Sequence, residues 1–131
     1  MMKIGNVYLK VVVERFKSVK TLGDKTIEQL SEQDIHWTYN QESNSVAVIV
    51  KHLSGNMISR WTDFLTSDGE KENRNRDEEF IDDISSKSEL MRVWEKGWNV
   101  LIDTFLTPYL ISLIGLSQRT WTSTRISLIF Y

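Results

Sequence analysis

The sequence predicts an all-α fold, and three observations predict it. Long stretches carry apolar residues at helical spacing, the chain has a single proline, and a capping box opens one of the stretches. At 131 residues the chain predicts one domain, residues 1–131, able to bury a core without disulfides or structural metal. With 40% hydrophobic and 26% charged residues, the balance is that of an ordinary soluble globular protein.

The first helix is expected from about residue 4 to residue 30. Leu9, Val12, Val13, Phe16 and Val19 form its apolar stripe, while Lys10, Glu14, Lys17 and Lys20 face away. The run Val11-Val12-Val13 also suits a strand, but the stripe persists for too many turns. Gly23 predicts a kink or fraying before Thr26. Turn formers then fill residues 31–45. Ile35, Trp37 and Tyr39 alternate there, predicting a connector that lays its aromatic side chains on the core. Ser43, Asn44 and Ser45 are candidate N-caps for the next helix.

That second helix, expected over residues 43–65, contains the most specific wording of the chain, HLSGN at residues 52–56. Its predicted buried stripe is Val46, Ile49, Val50, Leu53, Met57, Trp61, Phe64 and Leu65. His52, Asn56, Ser59 and Asp63 follow at three- and four-residue spacing and so share a strip at the edge of that face. Gly55 predicts that another backbone or a bound group approaches closely, tight helix packing being the simpler case.

Residues 67–84 turn abruptly acidic, with few apolar side chains, and read as a long solvated connection in which Phe80 is a candidate anchor. The acidic spacing does not follow the calcium-loop pattern. Ser86 and Glu89 form the capping box of the third helix, whose stripe is Leu90, Trp94, Gly97, Trp98, Leu101 and Phe105. Thr107-Pro108 ends it. The remaining tail, residues 107–131, has no acidic residue and suits a strand or hairpin as readily as a helix.

The composition also excludes functions. No cysteine means no disulfide scaffold, thiolate metal site or cysteine nucleophile. A net charge of -2 gives no basic footprint, so nucleic acid is not an expected partner. No apolar run reaches the roughly 20 residues of a membrane span or forms a signal-peptide core, which predicts a cytoplasmic protein without a membrane partner. No serine–histidine–aspartate set or glycine-rich phosphate loop stands out, so catalytic residues remain unassigned.

The most specific stretches are IVKHLSGNM at residues 49–57, SRWTDFL at 59–65, DGEK at 68–71 and RNRD with EF at 74–80. They resemble the DinB-like superfamily, and within it a small bacterial family of unknown function, DUF1572. The likeness continues through ELM at residues 89–91 and WEKGW at 94–98, and it covers about residues 5–108. It implies an up-down-down-up four-helix bundle with a long crossover between the second and third helices, commonly a homodimer or larger homo-oligomer. It further implies a divalent metal, zinc or nickel, held by three histidines. The first maps onto His52; the other two belong to a fourth helix. After Pro108 that pattern is lost and only His36 remains, so the fourth helix is expected to be atypical, truncated or replaced. A reading-frame shift in the parent gene would produce such a tail.

Two functions follow as expectations. One is an oligomeric helical-bundle protein with an incomplete metal site, its open groove driving association. The other, implied by the resemblance, is a metal-dependent enzyme of the thiol S-transferase or hydrolase type. His52 would then be a metal ligand, and Trp61, Trp94 and Trp98 would shape the pocket.

Overall fold

The computed structural model describes residues 4–107. Among the described residues the helices are α1 (Ile4–Gln29), α2 (Val46–Trp61), the single-turn α3 (Arg76–Glu79) and α4 (Lys87–Leu106), with a 3-10 turn at Asp34–His36. Among the described residues there is no strand. The all-helical class is therefore as predicted, and the tail beyond Thr107 lies outside the described residues.

The best-packed pair is α2 against α4. Its closest point is set by small residues: a Cβ on Gly97 would stand 2.7 Å from the Ser54 Cα. Ser54 is buried, and its hydroxyl donates to the Val93 carbonyl at 2.7 Å, so this polar side chain needs no water at the seam. The buried seam of α2 is accordingly Ala47, Val50, Ser54, Met57 and Trp61, spaced by three and four. This corrects the predicted stripe: Ile49, Leu53 and Leu65 are exposed. Small side chains at 47 and 54 let α4 approach, and the helix turns that face inward although Ile49 and Leu53 are more hydrophobic.

On α4 the predicted stripe is the buried one, Leu90, Trp94, Gly97, Trp98, Leu101 and Phe105. Its tryptophans fill the core: Trp94 and Trp98 meet edge to face at 5.5 Å, and Trp61 stacks on Phe64 and Phe105, both at 4.9 Å. All three tryptophans are buried, so they do not form the walls of an open pocket. Ser86 caps α4 by accepting from the Glu89 amide, but the Glu89 carboxylate reaches past it to the amide and hydroxyl of Ser85.

Helix α1 adds Leu9, Val12 and Ile27 to the core and leaves Val19 exposed. It does not stop at Gly23. The glycine is a notch for Trp94, whose ring a Cβ there would overlap at 2.3 Å. The Trp94 indole N–H then donates to Asp24 at 2.7 Å, and Lys20 bridges Asp24 to Glu95.

The connector between α1 and α2 behaves differently from the alternation in its sequence. Ile35 is fully buried, but Trp37 is 67% exposed and Tyr39 80%. Alternation puts positions 35, 37 and 39 on one side only in extended chain; the 3-10 turn at Asp34–His36 breaks that relation. Ser45 is the N-cap of α2, accepting from the Val48 amide, and its own hydroxyl donates to Asp82 at 2.7 Å.

Candidate functional site

The second α2 face receives the acidic crossover, and here the chain assembles its charged cluster. Lys51 reaches across from α2 and donates to the carbonyls of Glu78 (2.8 Å) and Ile81 (2.7 Å) and to the Asp83 carboxylate (2.6 Å). It thereby takes up carbonyls released at the end of α3. Asn75 caps the start of α3 by accepting from the Glu78 amide. Further back, Ser59 donates to the Gly69 carbonyl at 2.7 Å and accepts from the Lys71 amide, while Lys71 donates to the carbonyls of Ser59 and Asp68. The crossover is thus tied to α2 along its length.

Between these ties Glu79 turns inward onto Gly55. Arg74 grips both carboxylate oxygens, Nε to Oε2 at 3.0 Å and Nη2 to Oε1 at 2.8 Å. The Arg74 side chain is only 5% exposed and that of Glu79 only 10%. The hydrogen bond to Glu79 raises the Arg74 guanidinium above its ordinary range, burial opposing it. Glu70 stands 3.5 Å from the third guanidinium nitrogen. Gly55 makes room for this pair: a Cβ there would lie 2.0 Å from Glu79 Oε2. The close approach expected at Gly55 is real, and what approaches is a carboxylate rather than a second helix.

His52 completes the cluster. Its Nδ1 is buried 3.3 Å from Glu79 Oε1, near enough for an ion pair when the ring is protonated but without the alignment of a hydrogen bond. The Phe80 ring covers the imidazole at 5.2 Å. The histidine side chain is 33% exposed, and with Nδ1 buried that exposure falls on the rest of the ring.

Ser59 and Asp63 of the predicted polar strip do not join it. Ser59 is committed to the 69–71 turn. Helix α2 ends at Trp61, and Asp63 lies beyond it with φ 49°, its carbonyl accepting from Thr66 and Ser67. His36 pairs with Asp82 at 2.7 Å, on the carboxylate that also binds Ser45. Phe80 was the expected anchor of the crossover, but it is half exposed; Glu79 and Ile84 are the buried residues there. Arg74 and Glu79 were missed because an acidic stretch looks solvated by composition. The available signal was Gly55, which requires a close neighbour.

A metal site of the three-histidine kind does not fit these residues. The chain has two histidines and no cysteine, and its two histidines are engaged with different carboxylates. Among the described residues no three potential ligands converge, and residues 107–131 contain no Asp, Glu, His or Cys. Glu79 spends both oxygens on Arg74, which leaves it a poor additional ligand.

A family model described as "Protein of unknown function (DUF1572)" matches residues 3–108. The chain belongs to the DUF1572 family. No curated protein and no solved structure matches it. The match includes His52, Gly55, Arg74, Glu79 and Phe80, so the whole cluster lies in the family-defined part of this DUF1572 member. No described helix is long and apolar enough to cross a membrane.

Proposed function

We propose that this DUF1572 protein is a homo-oligomeric helical-bundle protein of the DinB-like type in which the histidine site is incomplete. In this reading His52 belongs to a charged latch that fastens the crossover to α2. The observation that carries it is apolar surface left open on the helices: Ile4, Val7, Val11 and Leu22 of α1, with Leu22 67% exposed, and Ile49 and Leu53 of α2. Rows of aliphatic side chains on helices gain by being covered, and a second copy of the chain supplies a matching surface. Sedimentation equilibrium of the full chain tests it. A dimer or larger species is expected, and Leu22→Glu with Val11→Glu should dissociate it; a stable monomer for the unaltered chain rejects the proposal.

A second reading, a divalent-metal enzyme of the thiol S-transferase or hydrolase type, is favoured by the carboxylate beside His52 Nδ1. Ligating histidines commonly keep such a partner on the nitrogen that does not bind metal. The missing ligands would have to come from another chain. Elemental analysis of purified protein decides: stoichiometric zinc or nickel that is lost in His52→Ala supports this reading, and its absence removes it.

A further inference from the structure

The connector between α1 and α2 builds a cavity of about 350 Å³. Leu30 and Val46 give it apolar walls, Trp37 and Tyr39 give it two π-systems, and Asp34 gives it a carboxylate. No lysine or arginine lines it. Its size is at the lower end for small-molecule sites. We propose that this cavity binds a compact organic cation, an alkylated or quaternary ammonium group, held against the aromatic rings of Trp37 and Tyr39 with Asp34 as counter-charge.

Three observations support the assignment. First, two large aromatic side chains, Trp37 and Tyr39, stand in solvent at 67% and 80% exposure. Exposed aromatic pairs have a use in recognition of alkylammonium groups, whose charge is attracted to the ring quadrupole while their methyl groups are weakly hydrated. Second, the wall is organised before any ligand arrives. Ile35 plugs the core, the Trp37 amide donates to the Asp34 carbonyl at 3.1 Å, and Asn40 Oδ1 accepts from the Glu42 amide and the Ser43 hydroxyl. Binding therefore does not have to order the loop. Third, the Ser31 amide donates to Asp34 Oδ2 at 3.0 Å, which pulls the carboxyl below its ordinary range and keeps it charged.

An anion would meet the Asp34 charge without a compensating cation. A neutral apolar ligand would gain the walls and forgo the carboxylate. The chemistry of the lining therefore selects for positive charge on an apolar body.

The test titrates the full chain with choline chloride and, separately, with its uncharged tert-butyl alcohol analogue, following the backbone amide NMR signals of Ser43 and Asn44. Saturable shifts with choline at millimolar concentration are expected, with roughly tenfold weaker binding in Trp37→Leu and in Asp34→Asn. The neutral analogue should bind several-fold more weakly than choline. Thermal melts of both variants establish that the fold is kept, since neither side chain is in the core. Shifts that never saturate, equal binding of the neutral analogue, or unchanged affinity in both variants each overturn the proposal.

Discussion

The two faces of α2 are each approached closely, and each approach relies on a glycine, yet the chemistry differs throughout. Against α4 the contact is apolar: Gly97 lies on the Ser54 backbone, flanked by Ala47, Val50, Met57 and Trp61. Against the crossover it is ionic: Glu79, gripped by Arg74, lies on Gly55, flanked by Lys51 and His52. The first seam is held by burial, which has no direction and tolerates modest repacking. The second is held by a buried ion pair, whose desolvation cost is recovered only while both partners remain. Equal closeness thus conceals unequal tolerance to change.

The largest expected effect breaks the ionic side. Glu79→Ala leaves the Arg74 guanidinium buried without its bidentate partner, and removing one member of such a pair costs about 3 kcal/mol. Urea melts of variant and parent would measure it. Among the described residues Glu70, 3.5 Å away and half exposed, is the nearby substitute, so a loss under about 1 kcal/mol would show that the pair contributes as little as a surface bridge.

A double-mutant cycle then sharpens the comparison between the glycines. Gly97→Ala should cost about 2 kcal/mol, because its new methyl meets Ser54 backbone that cannot move aside. That cost should be unaltered in a Glu79→Ala background. Gly55→Ala is also expected to destabilise the parent, since its methyl would strike the clamped carboxylate. With Glu79→Ala already present, the sign should reverse to a gain of about 1 kcal/mol, the helix preference for alanine over glycine. The same change at Gly55 in both backgrounds would dissociate Gly55 from the charge pair.

The smallest expected effect is a pH dependence that, of the two faces of α2, falls on the crossover side. Asp83 is held below the ordinary carboxylate range chiefly by its hydrogen bond from Lys51, and Glu89 by those from Ser85. A depressed folded-state pKa means stability that is fully present above the unfolded carboxylate range and is lost as pH falls through the folded value. Acid should therefore loosen the Lys51 tie and the start of α4, leaving the α2–α4 seam untouched. Amide exchange across an acidic pH series would show the 78–89 region opening first. Asp83→Asn should flatten that trend, and both groups are exposed enough that salt should diminish it.

The sequence disclosed α4 almost completely, because its stripe is dominated by Leu, Trp and Phe at helical spacing. It was less informative for α2, where hydrophobic residues occur on several faces. There the choice of seam rested on Ala47 and Ser54, which score low as core candidates but permit the nearest approach. The candidate cluster was half legible. His52 and Gly55 stood out as unusual members of a helix, whereas Arg74 and Glu79 are ordinary charged residues until a partner is placed beside them. The alternation of Trp37 and Tyr39 with Ile35 points them to the wrong side, since periodicity is informative only if the local backbone geometry is known.

By itself, then, the sequence determined the helical class, the cap at Ser86 and the buried face of α4. Those follow from local periodicity and local hydrogen bonding. Tertiary structure alone decided which face of α2 meets α4, that a glutamate twenty-four residues along the chain fills the space over Gly55, and that the aromatic side chains of the first connector face outward. Those depend on distances between segments remote in sequence, where steric fit and charge pairing outweigh hydrophobicity summed along one helix.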